Sequence, residues 1–161
     1  MKKILSKDLT LFYTSNFPKT FNTYTNKKYI VTIGIGGNIG DTKKLFDKLV
    51  LSLNKNSKFD LLMTSPLLLN PPFGYLEQKP FLNGIIKLST NLSVNEFFKI
   101  TQRLEKRFGR KRSFQDAPRT LDIDIIFFDN KKISTEKLII PHKDWANRES
   151  VIIPLNYMMN I

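Results

Sequence analysis

The chain predicts an α+β fold: a ferredoxin-like β-α-β-β-α-β core with a C-terminal hairpin/helix addition. Three observations predict it. Four runs read as strands, two stretches with apolar residues at helical spacing fall between them, and loops rich in Pro and Gly separate the pieces. The first strand is YIVTIGI (29–35), by its β-branched alternation. Asp41 or Thr42 can cap a helix through about Leu53, with Leu45, Phe46, Leu49 and Leu53 on one face. FDLLMTSPLLL (59–69) is a strand with Pro66 at an edge or bulge. NPPFGYLEQKP (70–80) is a loop, and FLNGIIKLS (81–89) is the third strand.

Ser93 and Glu96 have the S-x-x-E spacing of a capping box, and Phe97, Phe98, Thr101, Leu104 and Phe108 follow at helical spacing. Gly109 ends that helix, RKRSFQDAP (110–118) is a loop, and TLDIDIIFF (120–128) is the fourth strand. The remainder reads as a short strand or hairpin, a loop and a final helix or strand. Residues 1–28 lack clear periodicity, so they read as an N-terminal extension ahead of a domain spanning 29–161.

A chain of 161 residues has room for one domain with a substantial core. Its apolar (41%) and charged (25%) fractions are those of ordinary globular proteins. No apolar run approaches a membrane span, and Lys7 and Asp8 interrupt the N-terminal stretch where a signal peptide would continue. The absence of cysteine excludes a disulfide framework and thiolate metal sites. These features predict a cytoplasmic protein. The net charge of +12 is localised: residues 1–28 carry +5 and residues 99–119 carry +6. A basic run is commonly a solvated face, but the second block ends just before two aspartates and predicts a polyanion site.

Those aspartates, Asp122 and Asp124, lie two apart in an apolar strand, so they share one face. Neighbouring like charges repel, unless a cation binds between them; carboxylates paired with phosphates suit Mg²⁺. Ile123, Ile125 and Phe127 fill the other face. Arg119 opens the strand, and Arg110, Lys111 and Arg112 could clamp an anion against the metal. GIGGNIGD (34–41) satisfies neither the dinucleotide fingerprint nor the P-loop, and reads as a glycine turn from strand to helix. His142, the single histidine, is a poor transition-metal candidate, but Lys143 and Arg148 nearby suit phosphate. Phe73, Phe81 and Asn83 offer flat apolar surfaces and a two-way hydrogen-bonding amide, a slot for a planar heterocycle.

In order, GGNIGD, NPPFG…PFLN, TQRLE…GRKR, APRTLDIDII and PHKDWANR resemble the motifs of the 6-hydroxymethyl-7,8-dihydropterin pyrophosphokinase family of folate biosynthesis, over about residues 30–156. The resemblance implies transfer of diphosphate from ATP, the co-substrate, to the hydroxymethyl group of a reduced pterin, releasing AMP. It implies two Mg²⁺ ions on Asp122 and Asp124, and Arg110 and Arg119 on the transferred group. Gln102, Glu105, Arg112, Lys137, His142 and Arg148 resemble the ATP-side residues. Phe81 resembles the pterin-stacking ring and Asn83 its hydrogen-bonding amide, with Asn70, Pro71 and Phe73 lining that pocket. The implied partners are these small molecules, with neither nucleic acid nor membrane, and the implied state is a monomer.

The sequence also departs from the family pattern. Asp116 stands where an aromatic is usual, with Phe114 as a candidate substitute, and Lys143 replaces a common Tyr. Ser150 replaces the Phe that usually covers the pterin's second face, leaving it open or filled by Trp145 or another aromatic. Two alternatives fit less well. An RNA-recognition module needs an RNP1-like aromatic strand that the chain lacks, and a metal-dependent nuclease would need a general base beyond His142.

Overall fold

The computed structural model describes residues 1–111 and 113–160. The chain begins with three short strands, β1 (Lys2–Ile4), β2 (Thr10–Phe12) and β3 (Lys19–Thr20). The core follows as β4 (Tyr29–Gly37), α1 (Thr42–Lys55), β5 (Phe59–Thr64), β6 (Leu67–Asn70), β7 (Phe81–Thr90), α2 (Val94–Arg107) and β8 (Asp122–Phe128). A hairpin of β9 (Ile133–Ser134) and β10 (Ile139–Ile140), a 3₁₀ turn at Trp145–Asn147 and α3 (Glu149–Met159) complete it.

The central strands are ordered β6-β7-β4-β8, all antiparallel to their neighbours, with β5 also pairing β7. This is the arrangement expected of two interleaved βαβ units, and it agrees with the α+β class read from the sequence. The predicted strand over 59–69 is divided into β5 and β6 at Ser65–Pro66. Proline cannot donate to the ladder, and Ser65 spans the gap: its N–H donates to Ile85 O, and its Oγ accepts from Ile85 N.

Both helix starts form as their residues dictate. Asp41 Oδ1 accepts from Lys44 N, capping α1. Ser93 and Glu96 exchange side-chain and backbone hydrogen bonds at α2, and those bonds hold the Glu96 carboxyl below its ordinary range. Phe46, Leu49, Val50 and Leu53 of α1 and Phe97 of α2 pack against Val31, Ile33 and Ile35 of β4 and their neighbours. A second, smaller core lies apart from the first, where Val151 and Met158 of α3 meet Ile85 and Ile126. Side chains alternate across a strand, so the residues between these apolar positions are left for a site beside α3.

The segment read as an extension is built into the same sheet. β2 pairs β6 and β3 pairs β5, covering what would otherwise be an open edge. Leu11 and Phe17 are fully buried, and the Phe17 ring lies 6.2 Å from that of Phe46. Thr25 ties the segment further, donating to Asp60 Oδ2 and sharing a hydrogen bond with Ser89 Oγ. The missing periodicity has a physical reason: the three strands have three, three and two residues, too short to show alternation.

Candidate functional site

A cavity of about 480 Å³ opens on the sheet beside the start of α3. Its floor comes from alternation in three strands. Gly36 is opposite both Asn83 of β7 and Asp122 of β8, and Gly34 is opposite Asp124. A Cβ on Gly36 would come 2.5 Å from Asn83 Oδ1. Two of the glycines read as a turn are therefore the bare centre of the floor, and the true turn falls at Gly40, where φ is +74°. The clue was available: Gly34 and Gly36 continue the period-two pattern of the strand before them.

Asp122 and Asp124 share a face, as their spacing requires. Asp122 is bracketed: Arg110 Nη1 donates to Oδ1 at 2.6 Å and Arg119 Nη1 to Oδ2 at 3.2 Å. Asp124 has no such contact, and its pKa is pushed up to about 7, first by burial and then by the charge of Asp122. A carboxyl held protonated by burial and a like-charged neighbour fits a place where a cation could take the proton's part. No group of three or more acidic, His or Cys ligands occurs among the described residues. Two carboxylates with room for phosphate and water are the donor set that suits Mg²⁺.

Glu105 is buried and turned inward. Its Oε1 accepts the Ile123 N–H at 2.8 Å, and its Oε2 lies 3.0 Å from Arg110 Nη1. It therefore fixes both the start of β8 and the arginine on Asp122. His142 Nε2 is 4.0 Å from Asp124 Oδ2, while Nδ1 accepts from Asp144 N, which leaves the proton of a neutral ring on Nε2. Burial, followed by the nearby Arg148, lowers the His142 pKa, so at pH 7 this contact is not an ion pair.

The residues expected around a planar ligand converge. Asn70, Pro71, Phe73, Phe81 and Asn83 all line the same cavity as the aspartates, together with Arg119, Arg148 and Ser150. Asn83 Nδ2 donates to Asn70 Oδ1 at 2.6 Å, which orients the amide. Each ring carries a guanidinium: Arg119 over Phe81 at 5.1 Å, Arg148 over Phe73 at 5.0 Å. Trp145 packs edge-on to Phe127 in the second core and does not line the cavity. Gln102 and Lys137 line a separate groove between α2 and the β9–β10 hairpin. Arg112 lies outside the described residues.

Sequence reasoning did not foresee how the flanking loops are tied. Asn38 Oδ1 accepts from Arg119 N, and its Nδ2 donates to Gln78 Oε1 and Lys79 O. Gln78 Nε2 in turn donates to Tyr75 O and Asp116 O. The chain of bonds joins the end of β4 to loops 71–80 and 108–121. Phe114 adds an edge-on contact with Tyr75 at 5.2 Å. No local pattern announces these links: apart from the bond within the 71–80 loop, from Gln78 to Tyr75, each hydrogen bond joins residues 38 or more apart in sequence.

Fold and cleft together define an α+β protein whose basic loops face a pair of carboxylates and a slot with two rings. The family model for 7,8-dihydro-6-hydroxymethylpterin-pyrophosphokinase matches residues 32–160, and the chain belongs to that family. Similar proteins named 2-amino-4-hydroxy-6-hydroxymethyldihydropteridine pyrophosphokinase occur in Helicobacter pylori (41% identity, covering 86% of each chain) and Campylobacter jejuni (40%, covering 86% of this chain and 88% of that one). A third, from Bacillus subtilis, is 35% identical over 78% of this chain and 75% of its own.

Proposed function

We propose that the protein transfers diphosphate from ATP to 6-hydroxymethyl-7,8-dihydropterin in folate biosynthesis, releasing AMP. The observation that carries this reading is one cavity holding both the paired aspartates and the slot with Phe73, Phe81 and Asn83. The pterin hydroxyl oxygen forms a bond to the β-phosphorus as the bond from that phosphorus to the α,β-bridging oxygen breaks, and the hydroxyl proton is lost. Asp122 and Asp124 would hold magnesium, two ions by family resemblance, and the metal would supply charge neutralisation to the phosphates.

In this reading Arg110 and Arg119 leave Asp122 for the transferred group, where a fixed guanidinium stabilises charge that develops in the transition state. Arg112, Arg148 and neutral His142 serve the ATP phosphates. Gln102 and Lys137, in the groove beside α2, take the nucleoside end. Glu105 acts from behind, by holding Arg110 and the start of β8. Phe81 stacks on the pterin, and Asn83, oriented by Asn70, pairs with its edge across the bare floor at Gly36. Pro71 and Phe73 line the same slot.

No helix among the described residues is long and apolar enough to cross a membrane, and a cytoplasmic monomer fits a pathway of small metabolites. The test is direct: purified protein with ATP, Mg²⁺ and the reduced pterin, followed by chromatography for AMP and the pterin diphosphate. Formation of ADP instead, or no turnover above a pterin-free control, would overturn the assignment.

A further inference from the structure

A planar heterocycle gains most when both of its faces are covered, and Phe81 covers one. Helix α3 lines the same cavity with Ser150 and Val151, neither of which offers a flat surface. Trp145 is committed to Phe127. Among the described residues that line the cavity, the only other ring is Phe73.

Phe73 is 70% exposed and belongs to neither core cluster. A lone exposed ring is unremarkable on most surfaces, but this one sits on a shaped loop. Pro71 and Pro72 precede it, and Gly74 follows with φ of +79°, a conformation that favours glycine. The ring already stacks a flat cation, the Arg148 guanidinium at 5.0 Å. Phe81 does the same with Arg119 at 5.1 Å. The two rings are thus alike: each holds a planar group against its face at the wall of one cavity.

Resting on the proposed pterin reading, we propose that Phe73 is the second aromatic wall of the slot. The heterocycle takes the place on Phe73 that the Arg148 guanidinium fills here, so the loop performs the covering that Ser150 cannot. Phe73 is then a specificity-determining residue for flat bicyclic substrates.

The test is calorimetric titration of the full chain with 6-hydroxymethylpterin in the presence of Mg²⁺ and α,β-methylene-ATP. Stacking of a base-sized ring supports an expected loss of about tenfold or more in pterin affinity for Phe73→Ala, with a smaller loss for Phe73→Leu. Affinity for the ATP analogue alone should change by less than about twofold, which separates stacking from general damage to the site. Adding Ser150→Phe to Phe73→Ala should restore most of the lost affinity by covering the same face from α3. Unchanged pterin affinity in Phe73→Ala overturns the proposal. So does a parallel loss of ATP-analogue affinity, or the failure of Ser150→Phe to rescue. If the wild-type chain neither binds the pterin nor releases AMP, the proposed activity fails and this inference with it; AMP release with an indifferent Phe73 sinks the inference alone.

Discussion

Replacing Phe17 with alanine tests whether the first 28 residues belong to the structural core. The ring is fully buried and lies in the main core, 6.2 Å from Phe46 of α1. Truncating a buried Phe costs about 3–5 kcal/mol, through lost transfer energy and the cavity left behind. For a chain of this length that corresponds to a fall in Tm of roughly 6–20 °C. Deleting residues 1–28 removes Phe17 and buried Leu11 together, and Leu11 alone is worth about 2–5 kcal/mol. The sum of about 5–10 kcal/mol approaches the whole stability of an ordinary domain, about 5–15 kcal/mol. It also strips β2 and β3 from the sheet, exposing the edges of β5 and β6 to aggregation. Urea unfolding followed by circular dichroism on the full chain, Phe17→Ala and residues 29–161 measures both effects. The expectation is a markedly lower midpoint for the point variant and no cooperative transition for the truncated chain. A truncated chain that unfolds cooperatively at the wild-type midpoint, or a Phe17→Ala loss below about 1 kcal/mol, would refute this reasoning.

Three further outcomes follow from the site. The folded chain keeps a proton on Asp124 up to about pH 7 that an unfolded aspartate releases near 3.8, so metal-free stability should fall as pH rises across that window. The side chain keeps 41% of its exposure, so solvent screens part of the effect. Asp124→Asn should flatten that fall in melts with EDTA and nearly abolish turnover; an unchanged slope, or near-normal turnover at millimolar Mg²⁺, counts against it. Arg110→Ala and Arg119→Ala should each lower the single-turnover rate by roughly 10²-fold, as the loss of one transition-state donor does. A rise in ATP Kd with an unchanged single-turnover rate would make them binding residues only. Gly36→Ala should push the Asn83 amide aside, since the new Cβ would meet Oδ1 at 2.5 Å. About tenfold weaker pterin binding, with Tm nearly kept, is expected by calorimetry and thermal melts; undiminished binding would show that the amide does not need its present place.

The two helices, the central strands and the acidic pair were legible because each is written locally. Capping residues precede apolar residues at a spacing of three and four, and Asp122 and Asp124 need only the period of a strand to share a face. Phe73 stood out for a similar reason, as a ring on a loop whose Pro-Pro and Gly make it an unlikely core element.

Other features required the folded chain. Whether residues 1–28 hang free or complete the sheet depends on a neighbour in β5 and β6, which strands of two or three residues cannot announce. The glycines of β4 gain meaning only when β7 and β8 set Asn83 and the aspartates on either side. Glu105 was assigned to ATP by resemblance, and the structure turns it inward to Ile123 and Arg110. The sequence by itself thus determined the periodic elements and the types of chemistry they carry. Tertiary structure decided which groups meet, because a hydrogen bond or a stacked ring acts over a few ångströms between residues that the chain keeps far apart.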